Sequence, residues 1–123
     1  MANISDANPG DRLAEIFRQL GQPDRLQILL AIGKGEACVC HLEAALGLRQ
    51  AAISQHLMSL RDSGLVSTRR EGRHIYYSLS QPGLLEMIYQ AASLVGATRA
   101  DLEVLALRPQ PGCPCPFCQP SQE

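Results

Sequence analysis

Tryptophan is absent from this 123-residue chain, and Phe and Tyr together make up only 4% of it. The core therefore falls to Leu, Ile, Val and Ala, and a largely helical packing is expected. No apolar run approaches the roughly 18 to 20 residues that a membrane helix needs. The opening stretch from Met1 to Asp6 also lacks the basic start of an export signal. The expectation is a cytoplasmic protein with no membrane partner. Neither a Gly-x-Ser-x-Gly elbow nor a phosphate-loop glycine pattern occurs, and His41, His56 and His74 fall on three separate segments. These absences argue against an enzyme and against an organic cofactor. Internal repeats are missing as well. What remains has the size of one compact domain, and 46% apolar with 19% charged residues exclude disorder as a description of the whole.

The formal net charge of −1 offers no general attraction for phosphate, yet the charge is unevenly spread. Between residues 49 and 74, five cations (Arg49, Arg61, Arg69, Arg70 and Arg73) stand against Asp62 and Glu71, a local +3 that leaves −4 elsewhere. All five are arginine, which suits planar, bidentate contacts to phosphate or guanine. The plain alternative for such a cluster is a solvated face.

Local signals divide the chain. Asn8-Pro9 is a helix cap with proline at the first position, and Leu13, Ile16, Phe17 and Leu20 then form one apolar face before Gly21. A second helix opens at Pro23-Asp24. Leu26, Ile28, Leu29, Leu30 and Ile32 make it apolar on most sides, as a central helix should be, until Gly33-Lys34-Gly35. A short third helix runs from about Cys38 to Leu46, turns Leu42, Ala45 and Leu46 inward, and closes at Gly47, where a left-handed residue is wanted. The fourth spans Ala51 to Ser63 with Ile53, Leu57 and Leu60 as its inward stripe, and Gly64 ends it. Two helices joined by about three residues containing glycine form a helix-turn-helix.

After Gly64 the period changes to two. Leu65 to Arg70 and His74 to Leu79 are β-branched and aromatic segments around Glu71-Gly72-Arg73, the pattern of a hairpin. Pro82 opens a fifth helix whose Leu84, Leu85, Ile88, Ala91, Ala92 and Val95 share a broad apolar face. Residues 99–107 continue a weaker helical pattern, and Pro109, Pro111, Pro114, Pro116 and Pro120 make the end irregular. Residues 1–107 thus read as one domain, with the helix-turn-helix at about 38–64 and the hairpin at about 65–79. Residues 108–123 read as a Pro- and Cys-rich tail, expected to be flexible without metal.

A helix-turn-helix followed at once by a basic hairpin is the winged-helix arrangement, mostly α with a small β-hairpin. One helix enters the major groove and the hairpin lies along the backbone or minor groove. With Ile53 facing the core and roughly 100° per residue, Gln55 and Ala51 point away, Gln50 and Ser54 lie on one flank, and His56 lies on the other. Gln and Ser can bond base edges or phosphates, and Ala51 and Ala52 permit close approach. His56 lies near the core side, so helix packing is its alternative role. Arg49, Arg69, Arg70, Arg73 and His74 complete the candidate DNA contacts.

Four separated motifs carry a family likeness: Ala37 to Leu42 (Ala-Cys-Val-Cys-His-Leu), Leu48 to Leu57 (Leu-Arg-Gln-Ala-Ala-Ile-Ser-Gln-His-Leu), Leu60 to Val66, and Arg70 to Tyr77. In this order they resemble the arsenic-repressor (ArsR/SmtB) family of bacterial metal-responsive repressors, over roughly residues 11 to 97. The resemblance implies a homodimeric winged-helix repressor on a palindromic operator, released when a thiophilic ion binds. It also implies that the first and last helices, here Asp11 to Gly21 and Pro82 to Ala97, pair across the dimer. Both segments carry more apolar surface than one small core easily covers, and an isologous dimer would hide it.

Five cysteines without an export signal are a poor disulfide framework, since the cytosol keeps thiols reduced and an odd count leaves one over. Cys38 and Cys40 start the third helix, whose electropositive end suits anionic sulfur, although a lone Cys-x-Cys pair is also explained by small-residue packing. Cys113, Cys115 and Cys118 place three sulfurs within six residues, where core packing explains them poorly. Thiolates select soft ions over hard cations. By the resemblance, the Cys38-Val39-Cys40 pair ligates arsenite, antimonite, cadmium or lead. Family arsenite sensors place a third cysteine three residues later, and here that position is Glu43. Either the tail cysteines complete the set or the ion accepts another ligand such as His41. The family's second site, of His and carboxylates on the final helix, has no matching histidine between residues 82 and 107. On the same fold, a thiol-redox sensor in which a cysteine is oxidised is the alternative to ion binding.

Overall fold

The computed structural model describes residues 8–104. The expected ligands Cys113, Cys115 and Cys118, and the boundary drawn at 107/108, lie outside the described residues. Helix α1 spans Pro9–Leu20, α2 Pro23–Ile32, α3 Val39–Leu46 and α4 Gln50–Asp62. Strands β1 (Val66–Glu71) and β2 (His74–Leu79) follow, then α5 (Pro82–Ala92), a 3-10 turn (Ser93–Val95) and α6 (Arg99–Glu103). The mostly helical fold with one hairpin is the one expected. Among the described residues no helix is long and apolar enough to cross a membrane.

Local chemistry accounts for most boundaries. The Asn8 side chain accepts the Asp11 N–H at 2.8 Å, and Pro9 follows it at the first helical position. Between α3 and α4, Gly47 stands at φ +70°, a conformation that costs any residue with a Cβ. It sends the chain directly into α4. The hairpin turns on Gly72 and Arg73, with Glu71 paired to His74 across it. Gly72 has φ +59° at the first central position, the requirement of a type II′ turn.

Helix α2 is the centre, as its all-round apolar sequence predicts: Ile28, Leu29, Ala31 and Ile32 are 0% exposed. Leu42 of α3 and Ile53, Leu57 and Leu60 of α4 close on it, and Leu84, Leu85 and Ile88 of α5 complete the cluster. Burial of this apolar surface is the main favourable term for the fold.

The flanking helices carry more apolar surface than the chain's own core covers, as their sequences lead one to expect, and the structure shows which residues stay open. Ala91 and Val95 do not belong to the buried face of α5. The helix ends at Ala92, and the 3-10 turn into Gly96 at φ +74° swings Leu94 and Val95 outward, leaving them 86% and 81% exposed. On α1, Leu13 and Phe17 are about half exposed and Ile16 and Leu20 half-buried, whereas the buried residue is Gln19.

Gln19 is buried because it is satisfied. Its amide donates to Glu15 at 3.2 Å, its side-chain oxygen accepts the Ser59 hydroxyl at 3.0 Å, and its carbonyl accepts Arg25 Nε at 3.0 Å. Ser63 also donates to Glu15, at 3.4 Å. The network ties α1 and α2 to the C-terminal half of α4. Hydrogen bonds from Arg18 and then Gln19 hold the Glu15 carboxyl below its ordinary value of 4.5. Its contribution is therefore present above that value and is lost as pH falls through the lowered one. The Gln19→Ala variant is expected to lose about 1–3 kcal/mol, because it strands the Ser59 hydroxyl and its neighbours. Thermal unfolding at fixed protomer concentration checks this, and an unchanged midpoint would show that the network contributes nothing.

Candidate nucleic-acid interface and thiol site

The outward face of α4 is built by its inward one. Ile53, Leu57 and Leu60 anchor the helix, so Gln50, Ala51, Ser54 and Gln55 stand exposed, with Ala52 half-buried beside them. This is the surface expected to read base edges. Arg49 sits at the N-cap, also exposed, and makes no side-chain cap bond. His56 turns to the other side, where its Nε2 lies 3.8 Å from an Asp24 oxygen and its side chain is only 18% exposed. Its packing role is therefore the one the geometry favours. Met58, 64% exposed, and Arg61 prolong the open face by a turn. The same helical spacing would have found them.

The three hairpin arginines are not equivalent. Arg70 and Arg73 are exposed. Arg69 instead clamps Glu36, with Nη2 and Nε donating at 2.8 and 3.0 Å, donates through Nη1 to Glu71 at 3.0 Å, and lies 4.9 Å over the Tyr76 ring. The bond from Arg69 holds the Glu36 carboxyl below its ordinary range, and Glu36 and then Glu71 push Arg69 further up. Neither Glu36 nor Tyr76 stood out in the sequence. Tyr76 follows His74 by two along β2, which puts both on one face, but only the fold brings residue 36 alongside.

Cys38 is the N-cap of α3, and its sulfur accepts the His41 N–H at 3.4 Å, where an oxygen usually serves. The sulfurs of Cys38 and Cys40 stand 2.8 Å apart and are not joined in a disulfide. Cys38 is buried with Tyr76, and Cys40 packs partly against them. One ligand atom each of Cys38, Cys40 and His74 lie within 4.8 Å of one another. His74, placed by its sequence among the DNA contacts, thus sits at the thiols. His41, the expected alternative ligand, is not in this group. With Leu42 it forms the inward side of α3, is 1% exposed, and has its pKa lowered by that burial.

Residues 22–68 match the model of the bacterial regulatory proteins of the arsR family. A transcriptional repressor SmtB homolog of Synechocystis sp. is 35% identical over 89 residues, 72% of this chain and 67% of that relative. The chain belongs to the ArsR/SmtB family. A "probable mercury resistance operon repressor" of Streptomyces lividans is 33% identical over 102 residues, covering 83% of this chain and 82% of the relative. Among solved structures, the homodimeric winged helix-turn-helix DNA-binding domain from Mycobacterium bovis superposes with a TM-score of 0.64 at 30% identity, over 77% of this chain and 90% of that one. This ArsR-family chain is a DNA-binding transcriptional regulator of a metal-responsive family, not an enzyme.

The capping role of Cys38 gives a direct test. Cys38→Ser retains an acceptor for the His41 N–H and is expected to keep the stability of α3, whereas Cys38→Ala should lose about 0.5–2 kcal/mol. Chemical denaturation separates them. Equal losses in both variants would mean that the sulfur acts by packing alone.

Proposed function

We propose that this protein represses transcription by binding operator DNA as a homodimer, and leaves the DNA when a thiophilic ion is held by the Cys38 and Cys40 thiolates. One observation carries the reading: two sulfurs converge at the start of the helix that immediately precedes the exposed face of α4. In a dimer reading two half-sites about one DNA turn apart, a small rotation of α3 and α4 spoils the spacing. The candidate DNA contacts are Arg49, Gln50, Ser54 and Gln55 on the helix, and Arg70 and Arg73 on the hairpin.

Support for the dimer comes from what one chain leaves open. Phe17, Leu20, Leu26, Met87, Ala91 and Val95 are among the residues lining an apolar groove of about 410 Å³ between α1 and the end of α5. Leu13, Phe17, Leu94 and Val95 are exposed beside it, more apolar surface than a monomer commonly shows. An isologous partner covers both helices at once, and the Mycobacterium bovis relative is described as homodimeric.

Arsenite and antimonite, or cadmium and lead, are the thiophilic ions that the family likeness favours among those thiolates accept. Cys113, Cys115 and Cys118 are candidates for completing a three-sulfur set for trivalent arsenic. Moving an operator complex from almost fully bound to almost fully free takes an affinity ratio of about 10⁴ between the two protein states. Operator DNA must weaken ion binding by the same factor. A second reading rests on the same sulfur contact. Peroxide would oxidise the two thiols to a disulfide, taking two electrons and two protons and leaving as water.

Operator binding followed by fluorescence anisotropy, with each ion added in turn to fully reduced protein, tests the proposal. Release by at least one ion, and none by peroxide in ion-free buffer, is expected. Release by peroxide alone would establish the redox reading, and unchanged affinity throughout would end both. The salt dependence of operator binding tests the unequal arginines. Arg70→Ala or Arg73→Ala should each reduce the slope by about 1, and Arg69→Ala by clearly less, because its charge is already matched by Glu36 and Glu71. Phe17→Glu should turn dimer into monomer in sedimentation.

A further inference from the structure

Resting on the reading of Cys38 and Cys40 as ligands, we propose that His74 of the hairpin is the third ligand of the same site. The ion is then held between α3 and β2 by two sulfurs and one imidazole nitrogen. The class it takes is the soft divalent cations, such as Cd(II), which accept both sulfur and nitrogen, in preference to trivalent arsenic.

The register of the chain produces this set. Ala37 and Tyr77 form an antiparallel bridge, donating to each other's carbonyls at 3.0 and 2.8 Å. From that bridge the two segments run in opposite directions, so that one step brings Cys38 to Tyr76 and three steps bring Cys40 towards His74. The observed contacts follow this order: Cys38 is buried with Tyr76, and the ligand atoms of Cys38, Cys40 and His74 gather within 4.8 Å. The clamp of Arg69, on β1, on Glu36 ties the entrance of α3 to the other strand of the hairpin as well. Among the described residues the group holds two sulfurs and one imidazole and no carboxylate, so the donor set is soft. His74 is half-buried, which leaves its imidazole reachable. Two thiolates and a neutral imidazole balance a divalent charge, as desolvation requires.

The structural consequence is specific. His74 adjoins the Gly72–Arg73 turn, so ligation fastens the tip of the hairpin to the start of α3. Arg70 and Arg73 then move as one body with the helix-turn-helix instead of following the DNA backbone. The hairpin, and not α3 alone, becomes the element that the ion controls.

The test uses the full-length reduced protein and Cd(II) alone. In wild type, adding ¹¹³Cd(II) should shift the His74 ring nitrogen resonances and couple one of them to the metal. His74→Gln should weaken Cd(II) binding, measured against a chromophoric chelator, by roughly 10- to 100-fold or more, while keeping the sulfur-to-metal absorption. Cys38→Ser and Cys40→Ser should each reduce that absorption. An unshifted His74 ring together with unchanged Cd(II) affinity in His74→Gln overturns the proposal, while the absorption lost in the cysteine variants would keep the thiolate reading standing. Absorption unaffected by either cysteine variant would remove both.

Discussion

The functional part of this molecule depends on one short antiparallel bridge, between Ala37 and Tyr77. Two backbone hydrogen bonds at this point fix the entrance of α3 against β2. They set which residues of the hairpin face Cys38 and Cys40, and thereby join the reading helix, the hairpin and the thiols into one mechanical unit. The Glu36–Arg69 pair beside it is exposed, and exposed ion pairs add little stability. Its effect is positional: it keeps an arginine on the hairpin side directed at residue 36, stacked over Tyr76, and away from the solvent-facing row of Arg70 and Arg73.

A second constraint acts on the opposite side of the domain. The buried polar network around Gln19 connects the half-exposed apolar helix α1 to the later turns of α4 through Ser59 and Ser63. In the dimeric reading, α1 lies at the subunit contact. The same few hydrogen bonds would then relate the orientation of the reading helix to that of its partner. Networks of this kind are directional where apolar packing is not, and this one fixes how α1 is turned against α4. Helix α2, central and buried from Ile28 to Ile32, supplies the rigid body against which both arrangements are held.

Family membership agrees with this division of labour. The family model covers residues 22–68, from the start of α2 to the first strand, which is the stretch that carries the exposed face of α4 and Cys38 and Cys40. The hairpin tip with His74 lies beyond it.

Much was legible from sequence because it is local. Asn8-Pro9, Gly47 and Gly72 announce a cap, a left-handed helix end and a hairpin turn by their own backbone preferences, and the period of apolar residues gave the inward stripe of α4 correctly. On α1 and at the end of α5 the same periodicity gave an excess of apolar surface but not which residues stay open. It reports which residues are apolar and cannot say whether the chain's own core or a second surface covers them. Hence Leu13, Phe17 and Val95 lie open, while Gln19, polar and unremarkable in sequence, is buried. The sequence by itself determined the order of the elements, the outward face of α4 and the presence of two neighbouring cysteines at the start of α3. Only the tertiary structure decided that Arg69 is paired to Glu36, that His41 is buried in the core, and that His74 meets the cysteines. Each of these depends on contacts between residues more than thirty positions apart, or on which side of a short helix meets the core, and no local preference specifies either.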